Sequence, residues 1–478
     1  MIGLRSRRRG PMVQARHAMT DPFSSPAGAG TRATRRAFDL LARVASFDAP
    51  PPVFAARVHS VPAFHLWGAL GLALALALAL ILVRALGLSA AVILTSAGTG
   101  VALLFVLTGA SRVLLGEEVL VNYHHLVVVS AAAALVARAA GVPVVPHLTV
   151  FIVALMVFQG CGRLGCLSAG CCHGRPAECG IRYGARHVNA GFSPMLAGVP
   201  LVPVQALEAM GALLIAALGA TTLLGGRSPL DVLLAVVPAY ALVRFAAEFL
   251  RADVGRPRHA GLTQTQWISL VLLGGAALAA WTVPAGLRFA LAGLAASSAI
   301  AAAAVALARR RHPEWALQSP EHVLELAGAL ALACGDADMR PPAPARELHV
   351  ATTSLGISVS AGAADTGGRP TRHYTFTRGP EALTESAARR LATLALRLRH
   401  PGHEGTLVRG RRAGAYHLLV GGSSDRAAGS ALHLVAYPTR TEVTWSLPFP
   451  PPRPPVPSFA SAAAPSAPAR TSAGPTTG

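Results

Sequence analysis

Lysine is absent from this 478-residue chain, so the whole Lys+Arg count of 42 is arginine. Aromatic residues make up only 5% and charged residues 13%, while hydrophobic residues reach 53% and mean hydropathy is +0.48. That balance excludes an ordinary soluble domain. No nucleic-acid-reading motif accompanies the formal net charge of +20, so the reading includes no nucleic-acid partner. The arginine is placed instead in loops and tails beside anionic lipid. The start, Met1–Arg9, is basic, but no apolar core follows it at signal-peptide distance. An internal repeat is also lacking.

What is present is a series of apolar runs long enough to span a bilayer, about 20 residues each. They are built from Ala, Leu, Val and Gly, which suits closely packed membrane helices. Membrane helices are predicted at 64–87, 90–110, 119–139, 145–168, 203–225, 229–251 and 266–287, with 289–308 as a re-entrant or interfacial helix. The expected fold is an all-α polytopic membrane protein of about seven transmembrane helices with a small C-terminal α+β soluble domain.

Four regions follow: 1–60, a basic disordered arm; 61–308, the transmembrane domain; 313–447, the α+β domain; and 448–478, a Pro/Ala/Ser-rich disordered tail. In the α+β domain the patterning gives helices at Glu321–Cys334 and Glu381–Arg399. Strands are expected at His349–Thr353, Gly356–Ala361, His373–Phe376, Thr406–Val408, Tyr416–Val420, Leu432–Tyr437 and Glu442–Leu447.

Chemistry concentrates at the end of the fourth run. Gly162-Arg163-Leu164-Gly165-Cys166 continues through Gly170-Cys171-Cys172-His173-Gly174-Arg175-Pro176. A charged side chain at the mouth of a membrane helix is expensive unless something uses it. A second constellation is Tyr240, Arg244, Glu248 and Arg251, which share a narrow wedge at about 100° per residue on a helix. Arg244 and Glu248 form an i,i+4 pair there. The stripe reads either as snorkelling side chains or as a cationic clamp for phosphate. Pro203-Val204-Gln205-Ala206-Leu207-Glu208 opens the preceding helix, with Pro in its favoured place and Gln205 and Glu208 on one face. Gly261-Leu262-Thr263-Gln264-Thr265-Gln266 leads into the next one.

Together, and in this order along the chain, these motifs resemble the prolipoprotein diacylglyceryl transferase family. Phe64-His65-Leu66-Trp67-Gly68 is a looser match to its opening motif. The resemblance covers roughly 60–285. It implies an enzyme of lipoprotein biogenesis, multi-pass in the bacterial inner (plasma) membrane, with no cofactor. Its reaction moves a diacylglyceryl group from phosphatidylglycerol to the lipobox cysteine thiol of a prolipoprotein signal peptide and releases glycerol phosphate. The implied catalytic residues are Arg163, Arg244, Glu248 and His124. Arg163 binds the lipid phosphate, Arg244 assists, and Glu248 orients Arg244. The substrate-binding set is Arg163, Gly165, Gly174, Gln205, Glu208, Tyr240 and Arg251, with membrane lipids as surroundings.

The chain departs from the family pattern at three places. Cys166 stands where the family has Asn, Cys171 replaces an acidic residue, and the third run reads Asn122-Tyr123-His124-His125 without the family's glycines. His124 or His125 is the candidate base. The alternative function is a catalytically altered membrane lipid-binding or Cys-based redox/metal module on the same fold.

Five of the six cysteines fall between Cys161 and Cys179. Metal ligation with His173, a disulfide such as Cys171 or Cys172 to Cys179, and small-residue packing are the readings. Packing is favoured and no metal is assigned, because Cys-x2-Cys pairs are missing. The resemblance places the Arg163 loop in the periplasm. Seven crossings, the favoured count, then put Arg309–Arg311 and the C-terminal domain in the cytoplasm, in line with charge; an eighth crossing by 289–308 would put them outside.

Overall fold

A computed structural model of the chain describes residues 47–55, 60–115, 122–256, 258–282, 285–335, 348–365, 370–420 and 440–442. Residues 1–46 of the basic arm, the tail 448–478 and the expected strand Leu432–Tyr437 lie outside the described residues, as does 443–447 of the last expected strand.

Among the described residues, eight long helices make the membrane bundle: α1 (Ala63–Ala85), α2 (Ala90–Leu115), α3 (Asn122–Ala139), α4 (Val144–Ala169), then, after a short α5 (Ala185–Asn189), α6 (Val204–Leu224), α7 (Pro229–Ala247), α8 (Gln264–Ala279) and α9 (Ala285–Arg311). Seven of these, all but α3, are long and apolar enough to cross a bilayer, α8 counting with the turn that extends it to Thr282; the apolar part of α3 is the shorter His125–Ala139. The protein is a multi-pass membrane protein. Large apolar side chains such as Ile81, Leu135, Val271 and Ile300 stand exposed on the bundle's outer face, where lipid rather than water is their solvent.

Lipid tails are as apolar as leucine, so close packing rather than the hydrophobic effect holds such helices together. The glycines supply it. A Cβ on Gly160 of α4 would lie 2.6 Å from Cγ of Leu213 on α6, and one on Gly71 of α1 would lie 2.7 Å from Cβ of Cys161. The local grammar agrees with the sequence reading. Gly170 ends α4 in the left-handed region at φ 76°. Thr263 and Gln266 form a reciprocal capping box at the start of α8, which explains the Gly261–Gln266 motif structurally.

The helices alternate in direction. At the end of the bundle opposite Arg163, the Ser89 amide donates to His147 Nε2 at 3.2 Å and the Thr149 hydroxyl donates to the Pro229 carbonyl at 3.0 Å. At the Arg163 end, Gly165 packs on Phe64 and Trp67 at the start of α1. There too, the Tyr123 and Ser269 hydroxyls bond at 3.0 Å across the starts of α3 and α8.

The final leg corrects an expectation. The run assigned as re-entrant is one continuous 27-residue helix, α9. It returns to the Arg163 end, where Arg309 donates to the Gly261 carbonyl. The C-terminal domain therefore sits on the side of the Arg163 loop, not opposite it.

Between α4 and α6 the chain builds a head. Strand β4 (Pro176–Arg182) pairs in parallel with β1 (Phe47–Asp48), and His187 Nε2 lies 3.0 Å from the Pro50 carbonyl oxygen. The part of the arm nearest the membrane is thus ordered into the fold rather than free. A hairpin of β2 (Val53–Ala55) and β3 (Ser60–Pro62) leads into α1, and β5 (Arg258–His259) with β6 (Leu262–Thr263) leads into α8.

Among the described residues, the C-terminal domain pairs α10 (Pro320–Cys334) and α11 (Glu385–Arg399) with a sheet of six strands. Its strands are β7 (Leu348–Thr352), β8 (Ile357–Asp365), β9 (Pro370–Arg378), β10 (Gly405–Arg409), β11 (Tyr416–Val420) and β12 (Arg440–Glu442), in the order β10-β11-β9-β8-β7-β12. The β7–β12 pair is parallel and the rest are antiparallel. Ser319 and Thr384 cap the two helices through their hydroxyls. One buried cluster joins Ile181, Tyr183 and Leu201 of the head to Leu330, Phe376 and Leu391 of this domain. This core lies outside the apolar bundle, so ordinary hydrophobic burial applies, at about 1.5–3 kcal/mol per large side chain. The domain is fastened to the head by it.

Candidate functional site

Three helices bring three buried charges together. Arg163 is in the last turns of α4, Glu208 in the first turns of α6 and Arg244 near the end of α7. Arg163 Nε lies 2.8 Å from Glu208 Oε2, and Arg244 Nη1 donates to Glu208 Oε1. Their side chains are 7%, 1% and 2% exposed. A carboxylate this deep is tolerable because two guanidiniums face it, and the cluster keeps a net positive charge. The Arg244 Nε is buried with no hydrogen-bond acceptor among the described residues. Tyr123 stands over Arg244, with its ring centroid 5.7 Å from Cζ, and packs edge-on to Tyr240 at 6.3 Å.

The sequence placed Glu248 as the partner of Arg244, and that is corrected. Helix α7 ends at Ala247 with Glu248 as its cap, and the Glu248 carboxylate accepts from Arg256 instead. Glu208 holds the position beside Arg244. Arg251 is likewise off the helix. Its backbone bridges to Gly174, and its guanidinium donates through Nε and Nη2 to both oxygens of Asp253, each at 2.9 Å. Asp253 also takes Arg256 Nε at 2.8 Å. Burial works against the Asp253 carboxylate, yet Arg251 and then Arg256 hold its pKa below the ordinary value. Burial opposes the Arg251 charge too, but Cys172 and Asp253 together keep it firmly protonated.

The glycines have geometric reasons. A Cβ on Gly174 would sit 2.3 Å from the Val202 carbonyl oxygen, where the loop is clamped by Arg175 N to Leu250 O and Val202 N to Arg175 O, both at 3.0 Å. Gly165 lets the start of α1 close on α4. Gln205, fully buried, donates to the Cys171 carbonyl at 2.7 Å and to the Tyr183 hydroxyl at 3.2 Å. Its role is to hold the loop to α6.

His124 lies on α3 with its side chain outside the described residues. His125 lines an apolar cavity of about 110 Å³ between α1, α2, α3 and α4, together with Leu72, Phe151 and Gln159. Neither residue is brought into the Arg163–Glu208–Arg244 cluster by a described contact. Tyr123, Asp253 and Arg256 escaped the sequence reading. The signal for the last two was a charged stretch directly after Arg251, and for Tyr123 a phenol beside the two histidines.

All six cysteines are free thiols, so the pairing of Cys171 or Cys172 with Cys179 is not formed. The Sγ atoms of Cys166, Cys171 and Cys172 converge within 4.8 Å of one another. Hydrogen bonds from the Cys166 and Cys171 thiols, and then the charges of Arg251 and Arg163, hold the Cys172 thiol well below its usual range against burial. The Cys171 thiol, bonded to the other two, is pushed up. Cys172 adopts φ 58°, a left-handed conformation that costs a non-glycine residue about 1–3 kcal/mol and that its surroundings impose.

Residues 120–282 match the family model described as prolipoprotein diacylglyceryl transferase. A protein of Clostridium perfringens (strain 13 / Type A), named phosphatidylglycerol–prolipoprotein diacylglyceryl transferase 2, is 38% identical over 127 residues, 25% of this chain and 46% of that protein. The chain thus spans about half the length of this curated relative. The matched span contains every candidate site residue named above, and the resemblance carried by the motifs holds over it.

Proposed function

We propose that this membrane protein, whose residues 120–282 match the family model described as prolipoprotein diacylglyceryl transferase, transfers a diacylglyceryl group from phosphatidylglycerol to the lipobox cysteine thiol of a prolipoprotein in the bacterial inner membrane. The observation that carries the reading is the meeting of Arg163 and Arg244, from two separate helices, on one buried carboxylate. The acceptor sulfur attacks a glyceryl carbon, the carbon–oxygen bond to phosphate breaks, and the electron pair leaves with glycerol phosphate. The acceptor thiol must lose its proton, and His124 or His125 is the candidate base on α3. The departing phosphodiester needs cations in a water-poor place.

Arg163 and Arg244 supply those cations. Glu208 holds both side chains in fixed rotamers before lipid arrives, which lowers the reorganisation the reaction requires. The unpaired Arg244 Nε is a ready donor for a phosphate oxygen. Tyr123 and Tyr240 wall the site on the apolar side. Arg251, tied to Asp253 and to the Gly174 backbone, closes the loop over it. Under this reading the head and the C-terminal domain both lie on the periplasmic side.

The test is expression in cells depleted of their own transferase, scored for thioether-lipidated prolipoprotein. The wild-type chain restores maturation, and Arg163→Ala and Arg244→Ala do not. Well-expressed wild-type protein without rescue, or full rescue by either variant, overturns the reading.

A further inference from the structure

The three converging thiols lie beside the arginine cluster but have no part in the proposed transfer. Cys166 is in the last turn of α4, and Cys171 and Cys172 follow the left-handed Gly170. Their position is built. Gln205 grips the Cys171 carbonyl at 2.7 Å, and the Ala252 amide grips the His173 carbonyl at 3.0 Å, so both ends of the turn are tied to other elements. Cys172 is held in a backbone conformation that cysteine rarely adopts, at φ 58°. All three Sγ atoms fall within 4.8 Å of one another. Thiolates around a tetrahedral zinc, with bonds of about 2.3 Å, stand about 3.8 Å apart. The separations in the trio, at most 4.8 Å, lie within about 1 Å of that spacing.

We infer that Cys166, Cys171 and Cys172 form a three-thiolate site for a soft or borderline d10 metal ion, Zn²⁺ or Cu⁺, with a fourth position left open at zinc. A thiolate-only donor set selects these ions over Mg²⁺, Ca²⁺ or Mn²⁺. Three thiolates and a divalent ion carry one net negative charge, and Arg163 and Arg251 are the neighbouring cations that balance it. A disulfide explains the geometry less well. It joins two sulfurs and leaves the third without a reason to converge, and the adjacent pair Cys171–Cys172 closes only as a strained ring. Cys161, packed against Gly71, and Cys179 are outside the trio and serve as controls. The site stands apart from the transferase reading, and its test reads metal rather than lipid transfer.

The experiment uses the full chain, purified in detergent under reducing, oxygen-free conditions. The protein is equilibrated separately with Zn²⁺ and with Cu⁺ and desalted, and bound metal is measured per chain; Co²⁺ in place of zinc reports thiolate ligation by its charge-transfer absorption. One equivalent of Zn²⁺ or Cu⁺ is expected. Cys166→Ser and Cys172→Ser each weaken binding by tenfold or more, on the order of the loss seen when a metal site is damaged. Cys161→Ser and Cys179→Ser leave it unchanged. Cys171→His, which keeps a ligand but removes a thiol, retains the metal and guards against a serine variant that fails for folding reasons. No bound equivalent with either ion overturns the site. So does binding that survives both serine variants, or a disulfide within the trio in protein isolated without reductant.

Discussion

Arg163 and Glu208 face each other at 2.8 Å from helices that are 45 residues apart in sequence, both side chains almost wholly buried. The contact fixes how the loop-bearing end of α4 sits against α6, and Arg244 locks it from the opposite side by bonding the second carboxylate oxygen. Removing Glu208 leaves two guanidiniums without a counter-charge. Breaking a buried pair from one side costs about 3–5 kcal/mol. Glu208→Ala is therefore expected to lower the melting temperature of the detergent-solubilised protein and to abolish lipid transfer. Glu208→Gln, which keeps the shape and one acceptor, should retain more of the fold while losing transfer. Transfer at the wild-type rate by Glu208→Gln would remove the carboxylate from the mechanism.

A second prediction concerns the loop. A methyl on Gly174 meets the Val202 carbonyl at 2.3 Å, and neither side of that contact is a flexible side chain. Gly174→Ala must open the bridge that holds Arg251 in place. It is expected to lower transfer by about 100-fold, the scale of a misplaced catalytic contact, with a smaller change in melting temperature than Glu208→Ala. Gly184→Ala, where a Cβ meets nothing within 4 Å, is the matched control. Equal activity of the two variants would contradict the geometric role of Gly174.

The same few residues separate what local sequence encodes from what tertiary contacts decide. The apolar runs fixed the bundle because a hydrocarbon solvent leaves few other solutions. Arg163, Glu208 and Arg244 stood out because buried charge must have company. The partner of Arg244 differs from the helical projection because placing Glu248 and Arg251 on α7 requires that the helix continue. It tightens at Ala247, where Phe249 and Leu250 bond back three residues, and Gly174 draws Arg251 into a bridge. Those are tertiary contacts with no local signature. The direction of α9 was hidden for a similar reason. Its apolar run is ordinary, and tertiary contacts, Arg309 to the Gly261 carbonyl and Ala306 against Gly261, show where it ends.

The C-terminal domain should respond to acid. His373 Nε2 lies 3.0 Å from His417 Nδ1 on the neighbouring strand. Burial, and then the charge of His417, pull the His373 pKa from 6.5 to about 4. Burial also lowers the pKa of His417 and of His322. Between pH 6.5 and about 4 the unfolded chain binds more protons at His373 than the folded one, so stability falls as pH falls through that window and is fully present above it. Limited proteolysis of the full chain is expected to cut within 348–420 faster at pH 5 than at pH 7.5, and His373→Gln should flatten that difference. An unchanged pH profile in the variant would assign the acid sensitivity to other groups.

The last prediction follows from the direction of α9. The long helices among the described residues alternate in direction, so the head and the C-terminal domain lie at one end of the bundle and the turns near Gly141 and Arg227 at the other. Arg186 in the head and Arg389 on α11 are exposed, as are Gly141 and Arg227. Single cysteines placed at these four positions, in a background with the six native thiols changed to serine, can be labelled in intact cells with a membrane-impermeant maleimide. Positions 186 and 389 are expected to behave alike, and 141 and 227 oppositely to them. Under the proposed function the reactive pair is 186 and 389, since the acceptor cysteine is met outside the cytoplasm. Labelling that separates 186 from 389 would mean that α9 does not complete its crossing. The shared core of Ile181, Tyr183 and Leu201 with Leu330, Phe376 and Leu391 could not then exist in the membrane-inserted protein.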